Sequence, residues 1–91
     1  MEGVRAHLFF NGNVQGVFFR QKTSERAKRF NVSGWIKNLE DGRVEAVFEG
    51  RKEDVEGLIK EIEAMPFPIR IEGLDIFWEE YKGVFQGFEI K

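Results

Sequence analysis

The sequence predicts an α+β sandwich of order β-α-β-β-α-β, with an antiparallel sheet carrying two helices on one face. Three observations predict it. Apolar residues alternate in four separate segments, as strands require. Two other segments carry apolar residues at three- and four-residue spacing, as helices require. The helical segments follow the first and third strands, which is the split β-α-β order.

The first strand runs from Val4 to Phe10, with Val4, Ala6, Leu8 and Phe10 on one face and Arg5, His7 and Phe9 on the other. The loop Gly12 to Phe18 follows. The first helix spans Arg20 to Phe30 and carries the stripe Phe19, Thr23, Ala27 and Phe30. Lys22, Glu25, Arg26, Lys28 and Arg29 lie between them and predict a solvated face. Strand two is Val32 to Asn38, and Glu40-Asp41-Gly42-Arg43 holds the Asp-Gly pair of a hairpin turn. Strand three is Val44 to Glu49, with Val44, Ala46 and Phe48 inward. The second helix spans Lys52 to Met65 on Val55, Leu58, Ile59, Ile62 and Met65, and Met65-Pro66-Phe67-Pro68 stops it. Strand four is Ile69 to Glu79. Its alternation slips at Gly73, which predicts a bulge. Phe85 to Ile90 can add a short last strand.

Composition narrows the class. Ninety-one residues predict one domain, residues 1–91, with a radius of gyration of about 12 Å. Ten Phe among 42% hydrophobic residues allow a real core at this size. There is no cysteine and one histidine, so thiol chemistry and a multi-histidine metal site are excluded. A net charge of −2 argues against a dedicated nucleic-acid binder. No apolar run approaches the ~20 residues of a membrane span. Met1 to Arg5 carry no signal-peptide core, so a cytoplasmic protein is expected, and a monomer.

The stretch Gly12-Asn13-Val14-Gln15-Gly16-Val17-Phe18-Phe19-Arg20 carries the chemistry. Glycines let backbone N–H groups turn towards a ligand, and the following helix start adds unpaired N–H groups with positive dipole character. Arg20 adds a forked cation suited to phosphate. Strands one and two should run the same way with strand three between them. Their ends then meet at one sheet edge, roughly 10 Å apart. Parity puts Asn38 on the helix-covered face with Ile36 and Val32. The loop, Arg20 and Asn38 therefore converge. Asn38 can accept from a water and donate to a phosphoryl oxygen. A general base is missing unless Glu40 or Asp41 turns inward. His7 is a weak candidate on the open face.

Each feature alone has a plainer explanation. A two-glycine loop is most often a simple turn, and this one lacks the Gly-Lys-Ser/Thr ending of a nucleotide loop. Asn38 alone is a turn residue, and Arg20 alone a surface residue. Trp35 reads as packing. The competing class is a ligand- or RNA-binding module of the same layout, with Phe9 and Trp35 as an aromatic patch. Strand three lacks the required Gly-aromatic pattern, and Glu45 and Glu49 would repel phosphates.

The residues resemble those of the acylphosphatase family. Its signature G-x-V-Q-G-V-x-F-R is matched by Gly12 to Arg20, and G-W-V-x-N by Gly34-Trp35-Ile36-Lys37-Asn38. Asp41-Gly42-Arg43-Val44-Glu45 and Gly87-Phe88-Glu89-Ile90 match its turn and its closing strand, so the resemblance covers nearly the whole chain. Ile36 stands where Val is commoner, and Phe18 fills a variable slot often held by something smaller. The resemblance implies a ferredoxin-like open-faced sandwich. It also implies hydrolysis of a small-molecule acyl phosphate to a carboxylate and inorganic phosphate. Arg20 and the backbone amides of Gly16, Val17, Phe18 and Phe19 would hold the phosphoryl group. Asn38 would position the water. It implies no metal, no cofactor and no phosphoenzyme.

Overall fold

The computed structural model describes residues 3–91, so Met1 and Glu2 of the N-terminal stretch lie outside it. The elements are β1 (Gly3–Asn13), α1 (Phe19–Arg29), β2 (Ser33–Asn38), β3 (Val44–Arg51), α2 (Lys52–Glu63), β4 (Arg70–Glu79) and β5 (Phe88–Ile90). They form one five-stranded sheet in the order β4-β1-β3-β2-β5. The first four strands pair antiparallel, as expected, and β5 pairs parallel to β2, so the complete sheet is mixed. The expected β-α-β-β-α-β order and the helix-covered face are both present. The radius of gyration is 12.1 Å.

The core lies between the helices and one sheet face. Ala6, Leu8 and Phe10 of β1 meet Val44, Ala46 and Phe48 of β3, and all are buried. Thr23 and Ala27 of α1 and Val55, Leu58, Ile59 and Ile62 of α2 close it from above. Truncating one of its fully buried phenylalanines to alanine costs about 3–5 kcal/mol in such a core.

Both ends of α1 depart from expectation, and α2 stops at Glu63, two residues short of Met65. α1 begins at Phe19, one residue early, because Phe18 already accepts the Lys22 N–H (3.1 Å). It ends at Arg29, with Phe30 as its C-cap and Asn31 beyond in left-handed geometry at φ 58°. There Asn31 N–H bonds Lys28 O, and Val32 N–H bonds Ala27 O, which satisfies the last carbonyls. The basic side of α1 is not wholly solvated either. Arg26 and Arg29 both reach Glu61 on α2, at 3.3 and 2.5 Å, and tie the two helices together.

β1 is also longer than its alternation predicted. It continues through Gly12 and Asn13, which pair with Ile71 and Arg70 of β4. The pairing passes from Asn11–Gly73 to Gly12–Ile71, so Glu72 is the extra, bulged residue beside Gly73. Gly12 is therefore a strand glycine. At φ 131° a Cβ there would overlap the Arg70 carbonyl oxygen. Its role is to let β4 approach, and the cradle loop shrinks to residues 14–18.

Candidate active site

The loop between β1 and α1 is pinned at both ends by apolar side chains. Val14 is buried at its start. Phe19 is buried at its end, edge-on to Phe10 with ring centroids 5.2 Å apart. Between these anchors the backbone turns through Gly16 at φ 76° and Phe18 at φ 62°. Left-handed geometry is open to glycine and costly for phenylalanine. Phe18 is 70% exposed, so its side chain recovers little of that cost by burial. Val17, also expected to supply an N–H, packs its side chain against the core.

α1 starts without a side-chain cap and without an acidic residue in its first turn. The first N–H groups of a helix have no acceptor within it. Here the helix start opens on a cavity of about 260 Å³ lined by Val14, Gly16, Phe18, Phe19, Arg20, Gln21 and Asn38. An uncapped N-terminus with a cation beside it is an anion site by construction. The two expected side chains and three of the four expected loop residues thus share one cavity.

Arg20 and Gln15 each make contacts here that were not foreseen. Arg20 Nη1 donates to the Lys91 carbonyl oxygen at 3.1 Å, beyond the end of β5. Gln15 Nε2 donates to the carbonyl oxygens of Leu39 and Arg43, each at 2.9 Å. Gln15 therefore fastens the cradle loop to the β2–β3 hairpin, directly after Asn38. Its place between the buried Val14 and the turning Gly16 was the available signal. The partners were not readable, because they are backbone atoms twenty-four residues and more away.

Neither acidic residue of the hairpin lines the cavity. Asp41 accepts from Arg43 N–H (3.0 Å) and Arg43 Nε (2.9 Å), and these bonds hold its carboxyl below the usual carboxylate range, the backbone bond foremost. Glu40 is exposed and does not line the cavity. His7 lies on the open sheet face, bound to Glu45 at 2.6 Å. The aromatics of that face already carry the chain's own cations. Arg43 lies over Phe9, and Lys37 and Lys91 lie over Trp35. Glu49 is not on the open surface at all. It is buried.

The acylphosphatase family model matches residues 6–90. The acylphosphatase of Pyrobaculum islandicum is 52% identical over 91 residues, covering 99% of this chain and 96% of its own length. The chain belongs to the acylphosphatase family. The solved acylphosphatase of Coxiella burnetii superposes with a TM-score of 0.89 at 26% identity, over 98% of this chain and 93% of that one. That of Bacillus subtilis, at 24% identity, shares the fold with a TM-score of 0.92, over 97% of this chain and 98% of that one. Among the described residues no helix is long and apolar enough to cross a membrane, and no three acidic, His or Cys side chains gather as metal ligands.

Proposed function

We propose that this protein hydrolyses acyl phosphates without a metal ion, with Arg20 holding the phosphoryl group and Asn38 aiming the water. The observation that carries the proposal is the sharing of one cavity by Arg20, Asn38 and the uncapped start of α1. Family membership supports the reaction class.

Phosphoryl transfer depends on positioning and on stabilising charge at the equatorial oxygens. The Arg20 guanidinium, with the N–H groups of Gly16 to Phe19, supplies both. The cavity lining contains no carboxylate or imidazole that could ligate a metal, so positive charge comes from Arg20 and the helix start. The Asn38 side-chain oxygen accepts an O–H of the attacking water and turns its lone pair towards phosphorus. The P–O bond to the new oxygen forms as the P–O bond to the acyl group breaks. The leaving group departs as a carboxylate, a weak base that needs no general acid. The water's proton passes to a phosphoryl oxygen, so no side chain must serve as base. The family reading further supports a small-molecule partner, and we extend it to a cytoplasmic monomer made of one domain.

The Asn38→Ala variant separates holding from aiming. Turnover of an acyl phosphate should fall by about a hundredfold or more, while inorganic phosphate inhibits residual turnover as it does the wild type. Lost phosphate inhibition in a folded variant would make Asn38 a binding residue and overturn its assigned role.

A further inference from the structure

Residues 80–87 link β4 to β5 and cross the open face at the far end of the sheet. They have no regular structure, and Glu80 to Val84 are exposed. One side chain beneath them is not. Glu49 is fully buried at its carboxylate and, among the described residues, is the one acidic residue in the buried set. Its Oε2 accepts from Arg5 Nη1 (3.0 Å) and from the Lys82 N–H (2.9 Å). Its Oε1 accepts from the Gly83 N–H (3.1 Å). Burying a carboxylate is costly unless such donors compensate it, so the strap and the acid require each other. Arg5 extends the clamp. It also bonds Glu79 at the end of β4 (3.1 Å) and lies under the Phe85 ring at 5.2 Å.

From this anchor the chain returns along the sheet towards the cavity. Gly87 O accepts the Gly34 N–H at 3.0 Å, β5 pairs with β2 from Gly34 to Ile36, and the Lys91 N–H donates to Ile36 O at 2.8 Å. The Lys91 carbonyl then receives Arg20 Nη1. β5 is only three residues long. Its pairing with β2 and the packing of Phe88 against the core hold it together with the strap before it.

We propose that Glu49 is a positioning residue for Arg20, acting through the 80–87 strap, β5 and the Lys91 carbonyl. Glu49 pairs with Ser33, whereas Val44 pairs with Asn38. The anchor therefore lies five residues along β3 from the Asn38 end, about 17 Å away. It never touches substrate. It holds the guanidinium in the conformation that receives a phosphoryl group, so that binding need not order a freely rotating side chain. The inference rests on the reading of Arg20 as the phosphoryl-holding residue.

The test uses Glu49→Gln and, on the exposed strap, Gly87→Ala. A Cβ at Gly87 meets nothing within 4 Å, but φ 97° disfavours any side chain there, so this variant strains the strap without disturbing the core. KM, kcat and the inhibition constant of inorganic phosphate are measured well below each variant's thermal midpoint. The Arg20 Nε–H signal is followed by ¹⁵N NMR. Releasing one ordered side chain should weaken phosphate and raise KM about three- to tenfold, with kcat changing less. The Arg20 signal should shift and broaden in both variants. Folded variants with wild-type phosphate affinity and an unmoved Arg20 signal would overturn the proposal. So would a fall in kcat alone that follows the unfolded fraction. Wild-type protein inert towards acyl phosphates would overturn the hydrolase reading instead, and the Arg20 signal would still decide the coupling.

Discussion

Phe18, in the wall of the cavity, shows how a single residue carries backbone strain. Its φ of 62° places an exposed phenylalanine in a conformation that costs roughly 1–2 kcal/mol outside glycine. Strain of this kind persists where the surroundings over-determine the backbone, here the buried Val14 and Phe19 on either side. Phe18→Gly should therefore raise stability to denaturant by about 1 kcal/mol. A loss of stability would show that the ring supports the loop through contacts beyond its small buried fraction. Arg20 and Asn38 were readable as partners from residue type, parity and strand order. The part of each glycine was not. Gly12 looked like part of the cradle, yet the approach of β4, some sixty residues later, is what demands it.

At the scale of elements, the β2–β3 hairpin carries Asn38 and is held by groups of two kinds. Its backbone bonds join the Leu39 N–H to Arg43 O and the Gly42 N–H to Leu39 O, at 2.8 and 3.2 Å. Asp41 and Arg43 brace its tip. Asp41 is held below its ordinary pKa of 3.8, first by the Arg43 backbone bond. Glu79 is held below 4.5, first by the Arg5 side-chain bond. A carboxylate with a depressed folded pKa stabilises the fold above its unfolded pKa. That contribution is lost as pH falls through the folded value. The thermal midpoint should therefore drop as pH falls below about 4, and Asp41→Asn should drop less over the same interval. An equal drop in both would remove Asp41 from the acid response. The Asp-Gly pair announced this turn, and the helical stripes announced both helices, because each signal is local. The Gln15 clamp on the hairpin was hidden because its acceptors are main-chain oxygens.

Across the whole molecule, alternation and spacing predicted the strand order around β1, β3 and β2, and with it the sheet edge where the cavity opens. They did not predict the route from β4 to β5. Tyr81 to Gly87 have no periodicity, and Glu49 on an alternating strand reads as a solvent-facing residue. Only the pairing of its carboxylate with Arg5 and two strap N–H groups reveals that it is interior. The parallel direction of β5 follows from that strap, which carries the chain across the sheet at the end where β4 stops and β2 begins. The fold thus brings Lys91 beside the loop that follows β1, and its carbonyl on Arg20 is a contact that joins them. We propose that this assembly hydrolyses acyl phosphates through Arg20 without a metal. That activity is tested most directly by steady-state hydrolysis of a simple acyl phosphate in excess chelator, with wild type beside Arg20→Lys. The expected result is wild-type turnover indifferent to chelator and a loss of about a hundredfold in kcat/KM for the variant, whose point charge cannot replace the fork. An inert wild type, a requirement for added metal, or a near-wild-type Arg20→Lys would contradict it.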